Sequence, residues 1–600
     1  MKLKRILAGV LCSAMLLASL SGCGTATTPA TGDAGEAGIF TPGTYQGEGE
    51  GLNGPVKLEV EVDADKILNI NVLEHQESEG ISDPAFENIP KEIIEKQSLA
   101  VDAVAGCTFS SKAIIEAVTN ALAQSGVDMS LLQNKTDAPE AEAADVEETA
   151  DVVVVGAGGA GLAAAVEAGK AGASVIVVEK MPKVGGNTLI CGSGYNAVDP
   201  RRQGAMNIDD SVELFIDQTL KGGDNEGDPE LVRVMCENAL DGLEFLESYG
   251  MEWQEEMSTA PGGLYQRRHM PANGKLGVPM INALTKGCEE NNVKVMVDTR
   301  ATEIIMKDGK AAGVICEGKD GNKVTVNANK GVVLATGGFG ANVEMRQEYN
   351  TLWPTLDESV KTTNHPGATG DGITMAKAVG ADLVDMQFIQ LFAYGDPTTG
   401  AMTGSIMKQP ENAIYLNKEG KRFVNEYERR DVVSAAVLEQ TDAQMYVVVD
   451  GKTYENDDAP TDFSASIAEE IKAGRCVRGD TIEELAKNMN MDPEVVKASI
   501  DAYNAGVEAG KDEFGKTVMN KIDTAPFYGN LRTPTVHHTM GCIRINTEAQ
   551  VLNADREPIP GLYAAGETTG DVHGTNRVGA NALPDIIVFG RIAGHNAATK

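Results

Sequence analysis

The apolar positions of this chain change period along its length, and each change marks a different kind of element. Val56, Leu58, Val60 and Val62 alternate with Lys57, Glu59 and Glu61; after a short acidic turn, Leu68, Ile70 and Val72 alternate with Asn69 and Asn71. A period of two with one apolar face predicts an antiparallel hairpin resting on a core. Helical spacing follows around 89–97 and from 110 to about 123, which completes a small α+β unit. Residues 134–150 are acidic and lack aromatic side chains, and read as a solvated linker. From 151 onward the pattern changes again. Val152, Val153, Val154 and Val155 form an unbroken β-branched run, as expected of a strand buried on both faces, and buried strands then alternate with helical stretches in the manner of an α/β domain.

Glycines sharpen this picture. Gly156-Ala157-Gly158-Gly159-Ala160-Gly161 follows the valine run, and a second apolar run, Val175-Ile176-Val177-Val178, ends on Glu179. Strand, glycine turn, small-residue helix and acid-terminated strand form the pattern of a nucleotide-binding βαβ unit. Gly156, Gly158 and Gly161 permit a tight turn, close approach of the backbone to a pyrophosphate, and close helix packing. The helix N-terminus attracts the phosphates, and Glu179 is placed to accept hydrogen bonds from a ribose.

Composition adds exclusions. The chain has 600 residues, with 42% hydrophobic residues and 51 basic against 88 acidic side chains, a formal charge of -37. Several domains with large cores are expected, and the charge opposes binding to nucleic acid or bare anionic lipid. Lys2, Lys4 and Arg5 precede an apolar stretch at 6–20 that is too short for a membrane span. Leu20-Ser21-Gly22-Cys23 resembles a bacterial lipoprotein signal, which implies cleavage before Cys23, lipidation of its thiol and an extracytoplasmic, membrane-anchored location. The nine cysteines are scattered and suggest no disulfide framework, there is no Cys-x-x-Cys-His haem motif, and no ligand spacing points to a metal.

Further blocks carry a resemblance. They are Lys183-Val184-Gly185-Gly186-Asn187-Thr188, Gly192-Ser193-Gly194-Tyr195-Asn196-Ala197, Leu334-Ala335-Thr336-Gly337-Gly338-Phe339-Gly340 and Gly561-Leu562-Tyr563-Ala564-Ala565-Gly566-Glu567. In this order, over about 150–600, they resemble the flavin-binding subunits of fumarate reductases and soluble flavocytochrome-type reductases. The resemblance implies FAD, not a nicotinamide, in a Rossmann-type α/β domain interrupted by an α+β capping domain. The expected FAD contacts are Gly156, Gly158, Ala160, Gly161, Glu179, Asn187, Thr188, Gly192, Gly337, Asp371, Glu567, Ala582 and Leu583. The expected organisation is signal and lipobox 1–23, flexible tether 24–43, FMN-binding domain 44–133, acidic linker 134–150, FAD-binding domain 151–380, capping domain 381–528, and the rest of the FAD-binding domain 529–600.

The FMN assignment rests on Asp102-Ala103-Val104-Ala105-Gly106-Cys107-Thr108-Phe109-Ser110-Ser111, just before a helix. It resembles the attachment motif of small FMN-binding domains, in which a flavin transferase joins a threonine to the FMN phosphate; Thr108 is the matching residue. Ala105 stands where that motif usually has Ser or Thr, and Cys107 where it usually has Ala.

Candidate chemistry lies in three segments. Thr535-Val536-His537-His538-Thr539-Met540-Gly541 and Val572-His573-Gly574-Thr575-Asn576-Arg577-Val578-Gly579 resemble blocks whose histidine and arginine hold a substrate carboxylate, which implies that role for His537 and Arg577 and places Gly579 beside them. An arginine can grip a carboxylate through parallel hydrogen bonds and withdraw electrons from a conjugated alkene. In Asn425-Glu426-Tyr427-Glu428-Arg429-Arg430-Asp431, the arginine before the aspartate matches the family's proton donor, so Arg430 is the expected catalytic acid; Arg429 is one place out of register. His269 is expected to serve the scaffold or the flavin's surroundings, and His365 is given no catalytic role.

Relatives that reduce fumarate carry a histidine after Met-Gln-x-Ile-Gln and a Thr-Glu-x-x-Arg segment ahead of the catalytic arginine. Here Phe392 takes the histidine's place, and Ser405, Ile406 and Gln409 replace the other three. A second carboxylate would lose its ionic partners, so an apolar or aromatic acrylate is the expected substrate. The leading expectation is an enoate reductase passing electrons from FMN to FAD in anaerobic respiration, fed by an external respiratory donor. Urocanate or fumarate reduction, a dehydrogenase running in the oxidative direction, and a non-enzymatic flavin shuttle are the alternatives.

Overall fold

A computed structural model describes residues 38–600 apart from 52–53, 78–81, 105, 134–142, 193, 261–262, 274–275 and 462–465. Cys23, Ala105, most of the expected tether and most of the acidic linker therefore lie outside the described residues.

The expected hairpin is present as Pro55–Val62 and Ile67–Glu74, with Val60 opposite Ile70. It belongs to a three-stranded antiparallel sheet, because Gly43–Glu50 pairs along the other edge of Pro55–Val62. The alternation of that first strand is hidden because its inward positions include bare backbone. A Cβ at Gly47 would overlap the carbonyl of Ala117, and one at Gly49 the carbonyl of Ala113, so the helix Thr108–Leu122 lies directly on the strand. Val56, Leu58, Val60, Ile89, Ile93, Ile114 and Val118 form the core between the sheet and the helices Asp83–Lys96 and Thr108–Leu122.

The main body is built on an eight-stranded sheet. Val146–Val155 lies at its centre, parallel to Val175–Val178 on one side and Lys323–Leu334 on the other. Lys294–Met296 extends the parallel set beyond Val175–Val178, and Pro558–Ala564 pairs parallel with Lys323–Leu334. Lys310–Glu317 and Arg300–Lys307 add antiparallel strands. Helices Gly159–Lys170 and Ala582–Thr599 pack against each other over this sheet, and Val152 to Val155 are buried in its core. A Cβ on Gly161 would overlap the carbonyl of Gly156, so the first glycine helix can sit on its own turn only with glycine at that position.

A second lobe carries a five-stranded sheet in which Ile389–Gly395, Phe527–Thr539, Met445–Asp450 and Ile414–Leu416 are successive neighbours and Cys476–Gly479 also joins Phe527–Thr539. Helix Arg430–Leu438 packs on Ile389–Gly395. The long strand Phe527–Thr539 runs through the expected boundary at 528/529. It pairs with Met445–Asp450 at its start, and at its end the Thr539 N–H donates to Glu567, so one continuous strand leads from the lobe's sheet to the main body.

The direct helix-on-strand contact predicts that Gly47→Val costs roughly 1–3 kcal/mol through overpacking. Hydrogen exchange should show lost protection across Thr108–Leu122, whereas protection of Val146–Val155 stays unchanged. Unaltered exchange in that helix would show that the contact does not support it.

Candidate active site

A cleft opens where the parallel strands end at the glycine turn. Gly156, Gly158, Ala160, Glu179, Asn187, Thr188, Gly337, Asp371 and Glu567 are among the residues that line it. Among the other residues expected here, Gly161 supports the turn from behind, and Gly192, Ala582 and Leu583 lie outside the lining; Ile586, on the same helix as Ala582, reaches the cleft instead. The helix Gly159–Lys170 begins without an acidic residue in its first turn, so its N-terminus presents positive dipole to a phosphate, while the Gly159 N–H donates to the Thr188 hydroxyl at 3.2 Å. Glu179 has its carboxylate oxygens on the backbone N–H groups of Ala157 (2.7 Å) and Met181 (2.9 Å), and each oxygen keeps a further lone pair for a hydroxyl. Burial pushes its carboxyl up. Asp371 is half-buried, yet hydrogen bonds from Arg300 and the charge of Lys180 hold it below the usual carboxylate range. This donor and acceptor set fits a dinucleotide with a pyrophosphate and ribose.

The second lobe forms the facing site. Ile389–Gly395 is buried throughout, and alternation puts Gln390, Phe392 and Tyr394 on one face, against the start of helix Arg430–Leu438. Gln390 Oε1 accepts from Arg430 Nη1 and from Arg577 Nη2, at 3.4 Å each. Its amide nitrogen donates to the Asn576 side chain (2.7 Å) and the Arg577 carbonyl (3.0 Å), which fixes which end faces the cations. The Arg430 guanidinium stands 5.4 Å above the Phe392 ring, and that ring lies 5.2 Å from His537. His537 Nδ1 is hydrogen-bonded to the Thr363 hydroxyl at 2.8 Å. Arg430, Arg577, His537 and Phe392, far apart in the chain, thus meet in one pocket. Ile406 joins Phe392 and Tyr394 in an apolar cluster, and Ser405 beside it is buried. Gly579 is buried, with its carbonyl on the Asn196 side chain.

The charges in this pocket are unbalanced. No carboxylate among the described residues forms a salt bridge with Arg430 or Arg577; their bonds go to Gln390 and, for Arg577, the Val578 carbonyl. Arg577 Nε is buried without a partner. Burial pushes Arg577 down to about 9, helped by the charge of Arg430, and pushes Arg430 down to about 10. Burial and these cations hold His537 well below its ordinary range, so it is neutral at pH 7. A pocket whose guanidinium donors have no salt-bridged carboxylate among the described residues, with Glu567 and Asp585 acting on Arg577 only through their charge, fits a ligand carboxylate.

The pocket and the cleft share a wall. Asn364 Oδ1 accepts from Asn187 at 2.7 Å, and its Nδ2 reaches the His537 carbonyl at 3.4 Å; Glu567 accepts from the Thr539 N–H at 3.0 Å. Arg429 points elsewhere and pairs with Asp224 and Asp431, while His269 is buried between the Tyr195 carbonyl and Asp199.

Thr108 is exposed as the first residue of helix Thr108–Leu122, which has neither a side-chain cap nor an acid in its first turn. This end suits a phosphate, with the hydroxyl open to modification. The preceding loop lies on the main body: a Cβ on Gly106 would meet His365 Nε2 and Met181 Cε at 3.2 Å each, and both residues line the cleft. Asp83 and Lys183 pair across the same junction at 2.7 Å. The Gly367 N–H donates to His365 Nδ1 at 3.1 Å, and burial holds the ring at about 4, so its proton sits on Nε2, facing the Gly106 loop.

Residues 151–583 match the FAD binding domain family, and residues 51–123 match the FMN-binding domain family. The chain belongs to the flavoprotein reductase family of the fumarate and urocanate reductases. It is 38% identical to the urocanate reductase of Eggerthella lenta over 97% of this chain and 96% of that protein. It is also 38% identical to the NADH:acrylate oxidoreductase of Vibrio harveyi over 93% of this chain, and spans 61% of that longer protein. The open conformation of a flavocytochrome c3 fumarate reductase superposes with a TM-score of 0.65 at 38% identity, covering 75% of this chain and 78% of that one. This member of the family binds FAD and FMN. Gln390, Tyr394 and Asn364 escaped the sequence reading; the even spacing of Gln390, Phe392 and Tyr394 on a buried strand was the available signal for the first two.

The lowered Arg577 value sets a pH limit. A carboxylate needs the protonated guanidinium, which is lost as pH rises through about 9 in the free protein, so kcat/KM for an anionic substrate should fall above that point. A bound carboxylate favours the cation, so kcat should fall only at higher pH. Superimposable kcat and kcat/KM profiles would contradict this assignment.

Proposed function

We propose that this protein reduces the C=C bond of an α,β-unsaturated monocarboxylate with an apolar or aromatic far end. The observation that carries the reading is the convergence of the unpaired Arg430 and Arg577 on Gln390, over a wall of Phe392 and Ile406. In this reading the second lobe is a capping domain on a Rossmann-type FAD domain, and the pocket closes between them. FAD, when bound, supplies hydride chemistry to the alkene. Arg577 and neutral His537 hold the carboxylate and orient the double bond, and the guanidinium draws electron density from the conjugated system. Arg430 delivers a proton to the carbon next to the one that receives hydride. A lowered affinity for its own proton brings this guanidinium closer to the range of an effective acid. Phe392, Ile406 and Tyr394 exclude water and accept the apolar end.

A second carboxylate placed against that wall would lack a cation, at a cost of roughly 3–5 kcal/mol, or about 10²–10⁴ in affinity. Turnover should therefore favour aryl or alkyl acrylates over fumarate by that factor, measured as oxidation of reduced viologen. A preference for fumarate would refute the apolar-pocket reading. Urocanate is the second reading, supported by the full-length similarity to a urocanate reductase and by the ring of Phe392 as a stacking surface. Against it, the buried carboxylate Glu426 is already held by Arg422 and Lys516.

FMN attached covalently through Thr108 by a flavin transferase would pass electrons to FAD, and an external respiratory donor would reduce FMN. Lipidation of Cys23 would keep the protein extracytoplasmic and at the membrane, as a terminal reductase of anaerobic respiration. The exposed Thr108 hydroxyl on an uncapped helix end supports the attachment. Flavin fluorescence should survive on a denaturing gel and disappear with Thr108→Val; a band that persists would exclude Thr108 as the site.

A further inference from the structure

Arg429 stands beside the pocket without facing it, and its bonds cross between the two parts of the molecule. Its Nη1 and Nη2 donate to Asp224 Oδ1 (2.6 Å) and Oδ2 (3.0 Å), while Nε and Nη2 also donate to Asp431 at 3.1 and 2.7 Å. Asp431 lies in the first turn of helix Arg430–Leu438, so the guanidinium is held from its own side while it reaches Asp224. Arg429 directly precedes Arg430, the first residue of that helix. A contact that fixes Arg429 therefore also fixes the backbone from which Arg430 projects.

Asp224 is tied in turn to the loop that carries Arg577. It lies in a left-handed turn after helix Val212–Gly222, with φ of 58° at Asp224 and 62° at Asn225. The turn interlocks with loop 573–576: a Cβ on Gly223 would overlap the His573 carbonyl, and one on Gly574 the Gly223 carbonyl. The Thr575 N–H donates to the Gly223 carbonyl at 3.2 Å, and the Asn576 side chain to the Gly222 carbonyl at 3.2 Å. The Thr575 hydroxyl donates to the carboxylate that Arg429 grips, two residues before Arg577. One carboxylate thus connects the segment of Arg430 to the segment of Arg577.

Gln390, Phe392 and Arg577 are buried, so a ligand reaches them only when the lobe and the main body part. Arg429 and Asp224 keep 34% and 48% of their side-chain surface exposed, so this contact, unlike the buried bonds around Gln390, can be exchanged for water at little cost. We propose that Asp224 is a positioning residue: with Arg429 it forms a latch that holds the second lobe against the main body, sets Arg430 opposite Arg577, and opens to admit substrate. The inference rests on this pocket being the enoate site. Paired hydrogen bonds between guanidinium and carboxylate define one closed geometry, and their partial exposure keeps closure reversible. The latch acts only through Arg430 and Arg577.

Phenylglyoxal labelling of the holoenzyme, read peptide by peptide by mass spectrometry without substrate, reports how often the pocket opens, because buried Arg577 reacts only then. Asp224→Asn keeps a residue suited to the left-handed turn and removes the charge. This variant and Arg429→Gln should each speed labelling of Arg577 about 10-fold, and the double variant should match the single ones, since all three lose the same contact. Added salt should speed labelling of the wild type and leave the variants unchanged. With FAD content unaltered, kcat/KM for the best acrylate should fall by about the same factor in each variant. Arg346, buried in the main body, reports the fold: labelling there that rises in step with Arg577 would overturn the latch in favour of general loosening. Unchanged labelling of Arg577 in both single variants, or effects that multiply in the double variant, would also overturn it. Labelling needs no substrate, so a wild type that reduces no enoate would remove the proposed function while Arg577 labelling still decides the latch.

Discussion

Positive charge held in a desolvated pocket without a salt-bridged carboxylate among the described residues is the constraint on which this structure turns. Desolvating Arg430 and Arg577 side by side costs several kcal/mol for each ion, and their mutual repulsion adds to it. The protein answers with a neutral dipole: Gln390 turns its carbonyl oxygen to both guanidiniums because Asn576 and the Arg577 carbonyl hold its amide nitrogen on the other side. An aspartate at that position would satisfy the cations and fill the place of a ligand anion. An amide orients them while leaving the charge for a visitor to neutralise.

The two flavin-binding units are joined by small surfaces. The Gly106 loop rests on His365 and Met181, and Asp83 reaches Lys183. His365 and Met181 belong equally to the cleft wall, so the residues that shape one cofactor site also receive the loop of the other. A single ion pair with exposed partners is weak, typically below about 1 kcal/mol, and such a junction can hold a preferred arrangement without making it permanent.

Much of this was legible in the sequence where local chemistry decides local form. The valine run, the glycine turn and the acid ending Val175–Val178 specify a strand, a helix start and a carboxylate at the cleft without reference to distant residues. Val56 to Val62 betrays its sheet by alternation, whereas Gly43–Glu50 hides its inward face because glycine signals closeness only once the helix above it is known. Phe392 and Ile406 could be placed by register, but the meeting of Gln390 with Arg430 and Arg577 requires pairings across the whole fold. The backbone bonds of Glu179 were hidden for another reason: a carboxylate reads identically whether its partner is a ribose or the protein's own N–H groups.

The strand Phe527–Thr539 gives the two halves of the molecule a common part. Its first residues belong to the second lobe's sheet, and its last residues carry His537 and anchor Thr539 on Glu567. The lobe is therefore not an exchangeable module bounded by loops. A chimaera taking this lobe from another flavoprotein must splice inside a hydrogen-bonded strand, and a shift of one residue there would move His537 out of its place beside Phe392 and Thr363. New substrate preferences in this scaffold are more accessible through single side-chain changes on Ile389–Gly395 than through exchange of whole domains.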